Sequence, residues 1–353
     1  MKITMLTTIH NAFDHRVFGK EARSLCEDHD VSIIAVSELV RGVTEYSTHD
    51  GIKIIEYPGE LTPRGHIFNC FTAFIQGLTH PADVYHCHEP SSLFLGCLLK
   101  VVHGSKLVYD RHDYYPVLIR EKIEKLGLGV LGAAVEFIES TAEKVMMKFT
   151  DKIITVDEVM SRSVSSTNTV IHNYPTGITG KLRAGCTFGY AGILDHRKIM
   201  ESIRIINELS STVKSAKYKI VGRAFDSTLI PKNTDSINYC GVIPHEQITE
   251  FMSDVSFGIC LYDKLPRYET AVSTKTYEYI ALGIPVVASR TAGNQFIEDN
   301  GFGVLVDPDN LVEAVDIIRA VIPRCEEFSR NCLNAKFIWE TEKLLNLYKE
   351  LEQ

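Results

Sequence analysis

Across its 353 residues the chain has a single tryptophan, no Cys-x-x-Cys pair and no apolar run near the roughly 20 residues a membrane-spanning helix needs. Its nine cysteines are scattered, which fits reduced thiols in a cytosol and excludes a disulfide frame or a cysteine zinc site. Positive charge is also short. The formal net charge of −8 argues against nucleic acid as the main partner. The opening MKITMLTTIHN runs straight into a strand without signal-peptide architecture, so the expected location is the cytoplasm. No G-x-G-x-x-G follows the first strand and no G-x-x-x-x-G-K-[ST] occurs, which excludes a dinucleotide oxidoreductase and a P-loop enzyme. Short-period repeats and low-complexity segments are missing too.

What is present suits a two-domain enzyme. Hydrophobic residues make up 45% of the chain, enough for two cores. Apolar runs at 2–7, 31–36, 52–57, 84–87, 107–109, 153–156 and 169–171 read as strands. Helical patterns at 16–28, 91–102 and 120–149 lie between them. This alternation predicts a parallel sheet covered on both faces. After Pro175 the stretch TGITGKLRAG reads as a linker, and a second series begins. It runs through strands at 187–191, 218–221, 237–239 and 255–261, a helix to about Leu209 and another at 245–252. Leu305 and Val306 close a last short strand, and a final helix near Ile338–Leu351 includes Trp339. The expected domains are 1–175 together with 338–353, and 185–335.

The stretch Glu269 to Ser289, ETAVSTKTYEYIALGIPVVAS, is the most informative. Ser273 and Thr274 suit a helix N-cap, Lys275 to Leu282 form about two turns, and Gly283 stops the helix. Pro285 to Ala288 reads as a buried parallel strand. A helix N-terminus presents N–H groups and the positive end of a dipole, which suits a phosphate. Lys275 in the first turn opposes that dipole, and an anion at that end would resolve the opposition. Glu278, one turn on, can accept two hydrogen bonds from a sugar diol. A capped surface helix explains the same residues.

Lys275, Thr276, Tyr277, Glu278, Tyr279, Ile280, Ala281, Leu282, Gly283, Ile284, Pro285, Val286 and Val287 resemble the nucleotide-sugar motif of retaining glycosyltransferases of family 4. The resemblance implies an α/β GT-B fold, two Rossmann-like domains facing each other across a cleft. The family motif has an earlier Glu. Thr270 occupies that position here and Glu269 lies one residue away, as the substitute candidate for a contact to the donor sugar. Tyr190-Ala191-Gly192 resembles the Tyr-x-Gly after the first strand of the second domain. Arg197 and Lys198 both fit the basic residue that binds the donor diphosphate. Gly222 and Arg223 resemble the next strand-end loop, where Arg223 lines the cleft or is an ordinary solvated arginine, and Ile243 resembles the apolar cover of the base. In the first domain the resemblance places His112 against the donor sugar. Asp113 beside it could take a proton from an acceptor hydroxyl. Asp14 and Arg16 resemble the Asp-x-Arg after the first strand, and a helix N-cap with a surface base explains the same pair. Asp110 reads equally as a turn or cap residue. His86 and His88 share one strand face, a placement also found for metal ligands, although a satisfied structural histidine is the reading kept for His86, and no metal is expected.

The resemblance thus implies a retaining, metal-independent hexosyltransferase with no cofactor. It would take a nucleoside-diphosphate sugar, in the first instance a UDP-sugar, as co-substrate and a glycan or lipid-linked acceptor in surface polysaccharide synthesis. Two alternatives stay open, a nucleotide-sugar epimerase and a non-catalytic nucleotide-sugar-binding subunit. The segment 117–149 has two readings as well. It is a core helix, or its apolar run between Arg120, Lys122, Lys125, Lys144 and Lys148 lies on an anionic membrane at the inner face of the plasma membrane.

Overall fold

The computed structural model describes residues 1–60, 62–124, 127–164, 167–194, 198–244 and 247–353. The chain divides into two compact units, Met1–Asn173 with Trp339–Gln353, and Tyr174–Ile338. In the first unit eight strands form one sheet. They are β1 (Lys2–Leu6), β2 (Asp30–Ser37), β3 (Glu45–His49), β4 (Ile52–Pro58), β5 (Val84–Cys87), β6 (Lys106–Arg111), β7 (Lys152–Thr155) and β8 (Thr169–Val170). Their order is β3-β4-β2-β1-β5-β6-β7-β8, and every pair is parallel except β3 with β4. The central strands are buried nearly throughout, as a sheet covered on both faces requires. On one face Ile3, Met5, Ile33 and Val108 pack with the helical segment from Val17 and with Trp339, Leu344 and Leu347 of the returning terminus. On the other, Leu6, Ile34, Tyr85 and Leu107 pack with the helices Pro63–Thr79 and Pro90–His103.

Several expectations change here. The long helix expected over 120–149 is two helices, Tyr115–Glu124 and Gly129–Met147, with Gly127 between them at φ 78°. Gly127, Gly129 and Gly132 spell G-x-G-x-x-G, yet they join two helices and follow no strand, so the phosphate-binding context is missing. β3 is a fully exposed antiparallel edge whose sequence EYSTH gives little apolar signal. The helix Pro63–Thr79 starts at a Thr62 cap, whose Oγ1 accepts the Gly65 N–H at 3.0 Å, and has Pro63 in its first turn. The last helix is Thr341–Glu352, so Trp339 precedes it. The indole donates to Ser24 Oγ at 2.9 Å, with Arg16 stacked 5.4 Å from its ring centre.

The second unit is a six-stranded, wholly parallel sheet of β9 (Thr187–Ala191), β10 (Lys217–Val221), β11 (Ile237–Tyr239), β12 (Phe257–Cys260), β13 (Val286–Ser289) and β14 (Gly303–Val306). The order is β11-β10-β9-β12-β13-β14. The stretch read as a linker is strapped onto this unit. Arg183 is buried, its guanidinium donates to Leu282 O at 3.0 and 3.3 Å, and its N–H donates to Ser329 Oγ at 2.8 Å. No described helix in either unit is long and apolar enough to cross a membrane.

Candidate functional site

In each sheet the strand order reverses beside the first strand of the unit, between β1 and β5 and between β9 and β12. The crevice outside the carboxyl ends of such a pair is where open α/β sheets take ligands. In the second unit that place is built around glycine. The Gly192 N–H donates to Val221 O and the Gly222 N–H donates to Gly241 O, at 2.9 and 2.8 Å. The first bond brings the backbones after β9 and β10 into direct contact, and the second ties the latter to the backbone after β11. A Cβ on Gly222 would stand 1.7 Å from Gly192 O, and Gly222 has φ 144°, so only glycine fits. A Cβ on Gly192 would meet Lys275 Cε at 2.2 Å and Nζ at 2.7 Å. The lysine therefore lies across the end of the central strand, with its ammonium above the Gly192 backbone.

The helix Thr274–Ala281 holds Lys275 there. Ser273 is its N-cap and accepts the Lys275 N–H on Oγ at 3.3 Å, while Thr274 is its first helical residue. Tyr279 is fully buried and lies flat on Gly258 of β12, and its hydroxyl accepts the Ala191 N–H at 3.2 Å. Gly283 closes the helix at φ 72°, with the Ile284 N–H returning to Tyr279 O at 2.8 Å. Glu278 is half-buried, and among the described residues its carboxylate makes no hydrogen bond or ion pair.

The other residues named for the donor fall into different surroundings. Arg197 lies outside the described residues. Lys198 sits in the left-handed region at φ 43° ahead of the helix Ile199–Thr212, and its ammonium faces Asp309, Asp263 and Glu201 at 3.0, 3.3 and 3.7 Å. Burial works against that charge, but the bonds to Asp309 and Asp263 prevail and raise its pKa. Lys198 is thus already engaged by three carboxylates. Arg223 is exposed and its guanidinium faces the Phe225 ring at 5.9 Å. Ile243 is half-buried against the core that includes Ala191 and Val221. Glu269 is tied to the loop after β13, where Oε1 accepts the Ala292 N–H at 3.3 Å and its carbonyl accepts the Gly293 N–H at 2.8 Å.

In the first unit the carboxyl ends of β1, β5 and β6 collect a buried polar network. Asp110 is fully buried within β6 and accepts Nε and Nη2 of Arg16 at 2.7 and 2.8 Å. Neither a turn role for Asp110 nor a surface role for Arg16 survives, since both side chains are at most 4% exposed. Asp110 Oδ2 also accepts Nδ1 of His112 at 2.8 Å. Burial would raise the Asp110 carboxyl, but the Arg16 charge and then His112 outweigh it and hold it well below the usual range. An ionised Asp110 needs the His112 proton on Nδ1, so a neutral His112 presents a lone pair at Nε2. Tyr115 OH lies 3.4 Å from that Nε2 and 3.0 Å from Nε2 of His10. His10 Nδ1 in turn faces Asp14 Oδ2 at 3.5 Å. Asp14 also caps the next turn, as Oδ1 accepts the Arg16 and Val17 N–H groups at 2.8 and 3.1 Å. The segment Val17–Ala22 that follows is a π-helical turn, a distortion common at functional sites.

One chain of contacts thus links Asp14, His10, Tyr115, His112 and Asp110. Sequence reasoning gave no role to Tyr115, because an aromatic at the start of a helix reads as core. His10 is one of the polar residues that follow β1 in the sequence. Asp113 is exposed beside this chain. Beneath it, His86 and His88 stack with ring centres 4.7 Å apart, and Tyr348 OH meets His86 Nδ1 at 2.8 Å. Among the described residues, ligand-type atoms of Glu21, His86 and His88, and of His88, Asp110 and His112, approach within 4.8 Å of one another. Arg16 already brings a positive charge to both sets, 2.7 Å from Asp110 and 3.2 Å from Glu21. Burial, then the Asp110 charge, raise the Glu21 carboxyl well above its usual value.

Residues 199–335 match the family model described as Glucosyltransferase 3-like, C-terminal domain. No curated protein matches the chain. Sucrose-phosphate synthase from Thermosynechococcus elongatus aligns over 100% of this chain and 99% of its own, with TM-score 0.74 and 16% identity. HepE from Anabaena in complex with UDP aligns over 100% of both chains, with TM-score 0.70 and 13% identity. A trehalose-6-phosphate structure from E. coli, bound with UDP-2-fluoro glucose, aligns over 100% of this chain and 99% of its own, with TM-score 0.64 and 9% identity. The chain has the α/β fold of these structures, the GT-B fold with its two parallel-sheet units.

Proposed function

We propose that this chain is a glycosyltransferase that takes a nucleoside-diphosphate sugar, in the first instance a UDP-sugar, and transfers the sugar with retention of configuration. The observation that carries the reading is the Lys275 ammonium laid over Gly192 at the reversal point of the second sheet. A cation above bare backbone at the carboxyl end of the central strand is a seat for a diphosphate. UDP or UDP-glucose in the structures of HepE supports the choice of donor, as does the glucosyltransferase description of the matched family. Lys275 balances the charge of the departing diphosphate, which a metal-independent enzyme needs from its own side chains. Ser273 and Thr274 set the helix end, Gly192 lets the diphosphate approach, and Glu278 accepts the ribose diol. Arg197 and Arg223 add positive charge, Ile243 covers the base, and Glu269 serves the donor sugar in place of the missing glutamate. Lys198 joins them only by leaving its carboxylates.

The N-terminal cluster supplies the chemistry on the sugar. His112, with Nδ1–H given to Asp110, donates from Nε2 only as an imidazolium, and Asp113 takes the acceptor proton. The proton that makes His112 an imidazolium comes from His10, held by Asp14, and is relayed through the Tyr115 hydroxyl to His112 Nε2, while the acceptor proton stays on Asp113. The acceptor class is a glycan or lipid-linked sugar of a surface polysaccharide, reached from the cytoplasmic side, with 117–149 as the segment nearest a membrane. The deciding experiment pairs calorimetric titration of UDP and of uridine with assay of UDP release from a panel of UDP-sugars. UDP binding that is lost in Lys275→Ala while uridine binding persists supports the reading. Equal loss of both ligands, or no UDP binding by the parent chain, overturns it.

A further inference from the structure

A surface helix ordinarily shows polar residues to water. The helix Pro63–Thr79 does the reverse. Its described exposed side chains are Ile67, Phe68, Phe71 and Ile75, with Thr79 at the end. The helix Pro90–His103 repeats the pattern, since its exposed residues are Phe94, Leu98, Val101 and Val102. Phe71 is 66% exposed and Val101 83%, so these side chains lie in the open. The two helices pack side by side on one face of the first unit's sheet, and their inner residues share one core. The helix Gly129–Met147 borders them. Its Met147 enters the same core, and Cys97 Sγ faces Met146 O. It too exposes apolar residues, among them Val130, Phe137, Ile138 and Val145. Apolar side chains thus lie exposed on three neighbouring helices. A patch of that kind marks an interaction surface.

Charge selects the occupant. The chain as a whole is acidic, at −8. Yet Pro63–Thr79 and Pro90–His103 contain no Asp or Glu. The three glutamates of Gly129–Met147 lie away from the exposed stripe. Glu143 is buried against Arg111, Glu136 pairs with Arg120, and Glu139 is half-buried. The exposed charges at this edge are the cations Lys144 and Lys148 and the acid Asp151, which Lys100 of Pro90–His103 neutralises at 2.6 Å. A protein interface ordinarily has a polar rim with matched hydrogen-bond groups. Here no exposed acid is offered anywhere on the three helices. Apolar residues with cations beside them and no exposed acid on their helices match the acyl boundary and headgroups of an anionic bilayer.

We propose that the outer face of the helices Pro63–Thr79, Pro90–His103 and Gly129–Met147 docks this chain on the surface of an anionic lipid bilayer. The inference widens the contact beyond 117–149 and does not depend on the transferase reading. The test is flotation of the full chain with vesicles of phosphatidylcholine, alone or mixed with an equal part of phosphatidylglycerol. The chain is expected to float with the mixed vesicles. The double variant Phe71→Glu/Val101→Glu should lose binding by more than tenfold, whereas Leu39→Glu, at an exposed apolar residue outside these helices, should not. Lys144→Gln/Lys148→Gln should weaken binding to mixed vesicles by about tenfold and leave the fold intact. That pair decides the matter if the glutamate variant fails to fold. Binding unaffected by both double variants overturns the proposal, as does no binding by the parent chain. A concentration-dependent dimer that Phe71→Glu/Val101→Glu dissolves, in a chain that ignores vesicles, assigns the face to a second copy instead.

Discussion

At neutral pH the His10 ring is charged, and the direction of each hydrogen bond around it follows. Burial lowers its pKa, but the bond to Asp14 and the charges of Glu89, Asp14 and Asp113 raise it from 6.5 to about 9. An imidazolium donates from both nitrogens, to Asp14 and to the Tyr115 oxygen. The Tyr115 O–H is then left for His112 Nε2, and His112 Nδ1–H goes to Asp110. Tyr115→Phe breaks this chain while preserving the ring. Turnover of the UDP-sugar should fall by about one to two orders of magnitude, the scale of a lost general acid–base contribution, with UDP affinity unchanged. A fall in affinity equal to the fall in turnover would make Tyr115 a packing residue. His10 also predicts a pH dependence. Its raised pKa contributes stability that is full below 6.5 and is lost as pH rises through about 9. The parent chain should therefore lose up to about 3 kcal/mol over that window, an upper bound because the side chain retains some exposure. His10→Gln should flatten the decline in melting temperature across the same window, and a parallel decline in both proteins would count against the charged ring. Of this cluster the sequence made legible the polar crowding at the strand ends. Which groups are buried was not legible, because Arg16 and Asp110 are far apart in sequence and each alone reads as surface.

The helix Thr274–Ala281 and the loop after β10 depend on one another through glycine. Lys275 rests on Gly192, and Gly192 rests on Gly222 with no room for a Cβ. Gly222→Ala should push the backbone of Gly192 away and displace Lys275 with it. We expect a loss of stability of about 3 kcal/mol or more, the range of a strained backbone plus an overpacked contact, and loss of UDP binding in the folded fraction. Retention of full UDP affinity in that variant would show that the Lys275 position is not set by the two glycines. The strands were readable because a parallel sheet buries both faces of each strand, and runs such as VYHC and VVAS stay buried throughout. What escaped were elements with unusual exposure. β3 buries nothing and so has no apolar period. Pro63–Thr79 is apolar on its outer face as well as its inner one, which erases the period of an amphipathic helix. Gly127 stands within an apolar run of sequence and gives no sign that it ends one helix before another begins.

The returning terminus ties the last residues of the chain to the first unit. Trp339, Leu344, Leu347, Tyr348 and Leu351 are all at most 6% exposed there, packed with Ile3, Val17 and Leu25. Tyr348 also satisfies Nδ1 of the buried His86. The second unit has separate cores of its own, in which the returning terminus takes no part. Removing residues 339–353 should therefore strip the first unit of five buried side chains and an indole hydrogen bond. At roughly 2–4 kcal/mol for each large buried side chain, the five together amount to about 10–20 kcal/mol, as much as or more than the 5–15 kcal/mol that ordinarily holds a domain together. The second unit should stay folded in the truncated chain. A ligand that binds only the folded state adds about 2.7 kcal/mol at a hundredfold excess over its dissociation constant, and UDP is the ligand proposed here. Calorimetry of the chain ending at Ile338 should then show one remaining transition, and UDP should raise its midpoint as it raises the corresponding transition of the full chain. A truncated chain that keeps both transitions would deny the terminus its role in the first core. One that keeps the second transition but no longer responds to UDP would place the nucleotide elsewhere than on Lys275 and Gly192.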